Sequence, residues 1–162
     1  MGYAFLKPTG WHYKHVEQKG QHACFITKED IDAEGSFQTG LSVNMILLSH
    51  LKTGISASEY AKQFIRTATG EREPLKSWSS TQGPFKAHGC VIRDDSGGPP
   101  VFVYNLIIAN DRTGTIYVVL YEAPEAEWEK AWKIGEPILK ELIILDDSDW
   151  LQPVRDEPIP VV

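Results

Sequence analysis

Apolar and polar positions alternate with two different periods along this chain, and the changes of period mark its elements. From Ser56 onward, Ala57, Tyr60, Ala61, Phe64, Ile65 and Ala68 recur at spacings of three and four, which gathers them on one helical face. Ser56 is placed to accept from the Glu59 N–H while the Glu59 carboxylate reaches back, a capping box, and Gly70 supplies a left-handed stop. The pattern predicts a helix over 56–70. Upstream, ACFITK (23–28) and LSVNMILL (41–48) are rich in strand formers, are separated by the polar loop EDIDAEGSFQTG, and predict two strands.

Downstream, FKAHGCVIR (85–93), VFVYNLIIA (101–109) and TIYVVLYEA (115–123) are three further strand-like runs. Their connectors, DDSGGPP and NDRTG, carry the Gly, Pro, Asn and Asp that tight turns need. Short connectors of this kind predict a meander in which 85–93 and 101–109 are antiparallel neighbours. After Pro124 the period returns to that of a helix, with Trp128, Trp132, Gly135, Leu139 and Leu142 forming one seam through to residue 145. Glu125, Glu127 and Glu129 load the start of this helix, where the macrodipole favours anions. Pro137 inside it removes one backbone hydrogen bond and crowds the Lys133 carbonyl, at a cost of about 3 kcal/mol, which predicts a kink near Gly135. The order of elements predicts an α+β domain over 1–145, an antiparallel sheet sandwiched by helices with a long C-terminal helix packed on it. Residues 146–162, rich in Pro and acids, read as an extended tail with Trp150 as its anchor.

Composition narrows the function classes. A chain of 162 residues has the length of one domain and buries roughly 68 to 70% of its unfolded surface, enough for a core without staples. With 22 acidic and 16 basic residues the net charge is −6, and the cations are dispersed, which argues against nucleic acid as a partner. No apolar run approaches the ~20 residues that span a bilayer, so an integral membrane protein is not expected. MGYAFLKP has neither a basic nor an apolar leader region, which predicts a cytoplasmic home; a chain from which a leader had been removed would start as abruptly and be secreted or periplasmic. Cys24 and Cys90 each lie in an apolar run and read as buried strand thiols, with a bridge between them open if their strands are neighbours.

The segment IIANDRTGTIYVVLYEAPEAEWEKAWKIGEPILKEL (107–142) resembles the final hairpin, Pro-started helix and Trp-bearing helical face of the PsbP-like superfamily. That superfamily holds an extrinsic photosystem II protein, a eukaryotic Ran-binding import factor and bacterial relatives of DcrB. KPTGW (7–11), FITKE (25–29), TGLSVN (39–44) and SASEYAKQF (56–64) are similar to a bacterial branch of it. Gly135-Glu136-Pro137 departs from the helix such members carry. The resemblance implies an antiparallel sheet between helices and an accessory or chaperone-like role in binding proteins, without catalysis.

Several constellations invite a chemical reading. DDSGGP around Ser96 and AHGC around His88 look like the nucleophile and base of trypsin-like proteases, but Asp94 replaces the Gly that precedes the nucleophile there, and the chain cannot hold two barrels. Ser96 therefore reads as a hairpin residue. His12 and His15 face opposite sides of an extended chain and make no metal pair. DIDAEG (30–35) and NDRTG (110–114) lack calcium-loop spacing and read as solvated turns. No catalytic residue, metal ligand or cofactor is expected. Trp78, in LKSWSSTQGPF, is the Trp that the core patterns explain least, and it is the candidate binding residue, since Trp is enriched among interface hot spots. The expected function is a protein-binding accessory module; the alternative is a small-molecule or lipid-binding domain with a pocket between sheet and helix, roomier beside VNMILL and Pro137.

Overall fold

The structure is a computed structural model that describes residues 2–18, 21–31 and 36–146. Its body is a seven-stranded, wholly antiparallel sheet. In chain order the strands are β2 (His12–Gln18), β3 (Gln21–Thr27), β4 (Gly40–Ile46), β5 (Lys76–Gln82), β6 (Phe85–Asp94), β7 (Val101–Asn110) and β8 (Thr115–Pro124), and across the sheet they run β2-β3-β4-β8-β7-β6-β5. A two-stranded ribbon pairs β1 (Gly2–Ala4) with β9 (Ile143–Leu145) and brings the two ends of the described chain together. The helices are α1 (Ser49–Thr53), α2 (Ala57–Thr69) and α3 (Trp128–Lys140), the last entered through a 3₁₀ turn at Glu125–Glu127. Together these elements make an α+β protein.

The central strands alternate as their sequences require, and each face of the sheet receives a different helix. Tyr104 and Ile108 on β7 and Tyr117, Val119 and Tyr121 on β8 point to one side, into a cluster with Trp128, Trp132 and Leu139 of α3. The intervening Ile107, Ala109, Ile116 and Val118 point to the other side, where Ala57 and Ala61 of α2 meet them. Small residues on α2 let that helix lie close to the sheet. Large aromatics hold α3 at its own distance, and full burial of a large apolar side chain stabilises by about 1.5–3 kcal/mol.

Gly135 is the exception on the inner side of α3. A β-carbon there would overlap the ring of Tyr121, so the glycine lets the helix pass over that ring. The Tyr121 hydroxyl in turn donates to the Ala131 carbonyl at 2.5 Å, which satisfies a phenol buried beneath the helix. Pro137 lies within α3, which runs on to Lys140. Both Lys133 and Pro137 are exposed, which puts the proline on the solvent side of the helix, away from the packed seam.

The structure departs from the sequence-based reading at three places. The last helix stops at Lys140, where the Glu141 N–H closes onto the Pro137 carbonyl at 3.1 Å, and Ile143–Leu145 form a strand instead of more helix. It is thus as long as α2 and no longer. Leu142 keeps its buried place, which is why the seam looks unbroken in sequence. Strands β2 and β5 have no counterpart in the hydrophobic pattern, although each pairs over seven residues. The polar segment after β4 contains α1, entered through Leu48 at φ 50°, a left-handed conformation unusual for leucine. The expected tail with Trp150 lies outside the described residues apart from Asp146, whose carboxylate accepts from the Thr113 hydroxyl at 2.8 Å.

Two chain reversals fix the placement of β6 and α2. The predicted hairpin is present: β6 and β7 are antiparallel neighbours from Phe85↔Asn110 to Asp94↔Val101. At the β7–β8 turn, Asp111 reaches the first turn of α2, accepting from the Ser58 N–H and hydroxyl (both 2.7 Å) and from Lys86 (2.9 Å). Ser56 caps the Glu59 N–H at 3.2 Å, as its spacing predicts, while the Glu59 carboxylate lies 3.8 Å from Lys62. Gly70 stops the helix at a positive φ of 57°, with a ψ of −128° outside the left-handed helical region.

Candidate functional site

Ser96 and His88 do not meet. Asp94, beside Ser96, is six residues along β6 from His88, which puts about 20 Å of strand between them. The Ser96 N–H and hydroxyl both turn back onto the Asp94 carboxylate, at 3.0 and 2.6 Å, and Arg72 holds that carboxylate from α2's side at 3.0 Å. Such a closed turn orients its serine towards the acid and away from any base. His88 is bonded through Nδ1 to the Ser79 hydroxyl at 2.9 Å, across the β5–β6 pair.

The remaining candidates separate in the same way. Cys24 on β3 and Cys90 on β6 are both free and buried, and four inter-strand steps part them, about 19 Å, so the bridge left open by the sequence does not form. Burial raises both thiols, Cys90 to about 11, which keeps them protonated and unreactive. His12 lies 3.7 Å from Asp30, and His15 lies on the other side of β2 beside the ring of His22. Among the described residues no group of three or more His, Cys, Asp or Glu could hold a metal ion. In NDRTG, Asp111 is spent on α2 and Lys86, and most of DIDAEG lies outside the described residues.

A depression between the 7–11 segment and α3 is lined by Trp11, Lys28, Thr39, Glu127, Ala131 and Ile134 and encloses about 90 Å³. The Lys28–Glu127 ion pair, at 3.1 Å, draws its walls together. A drug-sized ligand needs roughly 300 Å³ or more. The space between α3 and the sheet is itself filled, by Trp128 stacked on Trp132 (5.2 Å between ring centroids) and by Tyr104 and Tyr121 beneath them.

Trp78 extends this aromatic row to the margin of the sheet. It sits in the middle of β5, its ring 5.1 Å from that of Tyr104, half-buried against the cluster under α3. Its cross-strand neighbour is Gly89, and a β-carbon at Gly89 would fall inside the indole ring, so the absence of a side chain there is what seats the tryptophan. β5 is an end strand: β6 pairs with one side of it, and no described strand pairs with the other. From Ser77 to Gln82 it carries no charge.

No model of a known protein family matches this chain, and no curated protein matches it. Among solved structures, the cyanobacterial PsbP of Synechocystis sp. PCC 6803 superposes with a TM-score of 0.51 over 89% of this chain and 87% of that one, at 14% identity. The fold is PsbP-like. The Mycobacterium tuberculosis protein LpqN, described as involved in cell envelope biogenesis, is matched at a TM-score of 0.44 and 11% identity over 86% of this chain and 81% of that one. In this PsbP-like chain no helix among the described residues is long and apolar enough to cross a membrane.

Sequence reasoning singles out Trp78 but misses the strand that carries it. The signal is present, because a glycine inside the strand-like run FKAHGCVIR marks close approach by a neighbouring group. On this PsbP-like sheet that group is the Trp78 ring.

Proposed function

We propose that this chain is a non-enzymatic accessory module that holds a protein partner by strand addition at β5, with Trp78 as the contact at the rim. The reading is carried by the character of that edge. Exposed edges in soluble proteins are blunted by charge, proline, bulges or a covering element, because a row of unpaired N–H and C=O groups is a template for another strand. Between Ser77 and Gln82 β5 carries neither charge nor proline, its register with β6 is continuous, no described strand pairs with its outer side, and Ser77, Ser79 and Thr81 are exposed. An added strand would gain main-chain hydrogen bonds, and Trp78 would give one of its residues an aromatic wall. Fold similarity at 14% identity supports the architecture on which this rests and contributes nothing to the choice of partner.

The alternative, a small-molecule or lipid site between sheet and helix, has no comparable support, since aromatic rings occupy that space.

Photo-crosslinking from the two sheet edges tests the proposal. A photo-reactive phenylalanine analogue replacing Thr81 on β5 should give one stoichiometric protein adduct in cells, and the same analogue replacing Val16 on β2 should not. Equal labelling from both edges, or none from β5, would overturn it.

A further inference from the structure

The sequence of β5 is compatible with itself. Paired antiparallel with its own copy, the strand has one register that engages all of its residues, the one centred on Ser79. There Ser79 meets Ser79 of the second copy, Trp78 meets Ser80, Ser77 meets Thr81 and Lys76 meets Gln82, each unlike pair occurring twice about a twofold axis perpendicular to the sheet. No like charges face each other, because the strand's single cation stands opposite an amide. Alternation puts Trp78 and Ser80 on the α3 side and Ser77, Ser79 and Thr81 on the α2 side. On the α3 side each indole therefore lies beside a serine of the other copy, a small neighbour like the Gly89 that seats it on its inner flank. On the α2 side hydroxyl meets hydroxyl, a pairing that adjoining strands favour.

The helices stand back from this edge. α2 packs chiefly on β6 and β7, and α3 on β7 and β8. With strands spaced about 4.8 Å apart, two copies of α2 would run about 19 Å from each other across the axis, beyond the 10–12 Å or so that a helix occupies. We infer that β5 receives β5 of a second copy of this chain, joining the two seven-stranded sheets into one with Ser79 on the twofold axis. This names the partner of the edge read above as a binding site, and rests on that reading.

A charge swap at the axis tests it. Sedimentation of the full chain should show its mass doubling as concentration rises from micromolar to millimolar, while the amides of 76–82 gain protection from hydrogen exchange and those of 12–18 do not. Ser79→Glu and Ser79→Lys, each with an unchanged far-UV spectrum, should weaken association by about tenfold or more, since like charges then face each other directly, and an equimolar mixture of the two should recover the dimer. Under mild oxidation Ser79→Cys should yield a disulfide-linked dimer, because directly opposed residues stand about 4.5–5.5 Å apart at Cα, within the reach of a disulfide. Ser77→Cys, which lies opposite Thr81 and far from its own copy, should not. A chain that stays monomeric throughout, a mixture no better associated than its components, or a dimer protected outside 76–82 overturns the self-pairing. The edge reading then survives if the photo-reactive group at Thr81 captures a different protein, and falls if it captures none. Constant protection of 76–82 in a monomer would mean that the strand is covered from within its own chain, and would overturn both.

Discussion

The two ends of the sheet are both single strands of seven residues, paired on one side, and they are built in opposite ways. β2 carries His12, Lys14, His15 and Glu17, so that an approaching strand meets a charged side chain or a histidine at most of its steps. β5 carries a single cation, Lys76, at its first position and then serines, threonine and glutamine around one tryptophan. Polar character alone does not protect an edge. Ser and Thr leave the backbone row accessible, whereas Lys and Glu must be desolvated or displaced before another strand can seat. Among the described residues, one margin of this sheet is guarded by charge, and the other carries none from Ser77 to Gln82.

The sharpest way to break this comparison is to remove the aromatic that distinguishes the open margin. Trp78→Ala should lower stability by about 2 kcal/mol, less than a fully buried tryptophan would cost, because its ring is half-exposed. Tyr13→Ala on β2, at 54% exposure, should cost well under half of that, and equal losses in chemical denaturation would erase the distinction. Next in size is Gly89→Ala, expected to cost about 1–2 kcal/mol by driving the Trp78 ring from its seat. Combining it with Trp78→Ala should cost less than the sum of the two, and strict additivity in a double-mutant cycle would show that they do not touch.

A smaller effect concerns the support beneath the open margin. Asp111→Ala removes the acceptor at the first turn of α2 and the partner of Lys86, for a loss of about 1 kcal/mol. Burial raises the Asp111 carboxyl, but hydrogen bonds from Lys86 and Ser58 outweigh it and hold the group below its ordinary value. Its contribution is therefore present above the unfolded-state value and is lost as pH falls through the lowered one. Acid titration of the melting temperature should be shallower in the variant than in the parent, and parallel curves would refute the assignment.

The smallest expected change in stability is also the most selective. Thr81→Lys should leave stability within about 0.5 kcal/mol and give β5 the protection that β2 already has. In the converse variant, Lys14→Ser with Glu17→Ser, β2 acquires the open character of β5. Light scattering should show more self-association of that protein than of the parent at equal concentration, and equal scattering would erase the distinction between the two margins.

Much of the fold is legible in the sequence because burial on both sides imposes its period on the chain. β6, β7 and β8 announce themselves as apolar runs, and α2 through its spacing and caps. The margins are not legible, because an end strand buries few side chains and need not be apolar: HYKHVEQ and KSWSSTQ carry a period of two in geometry but not in hydrophobicity. The end of α3 is hidden for the opposite reason, since Leu142 and Ile144 continue an apolar sequence after the backbone has changed conformation. At the candidate site, Trp78 stands out because it fits no pattern. What the sequence withholds is Gly89 opposite it, a relation that exists only once the register of β5 and β6 is fixed.

The stacked pair Trp128–Trp132, at 5.2 Å and 19°, has an optical consequence. Two indoles held so close and so nearly parallel couple their electronic transitions, and the signed near-ultraviolet dichroism they generate vanishes once α3 lifts from the sheet. Trp78 emits from the other end of the same aromatic row, where an arriving strand would shield it from water. The protein thus carries two unlabelled reporters, a dichroic one for the integrity of the core and a fluorescent one for occupation of its margin, and a partner at β5 should shift the second while leaving the first unmoved.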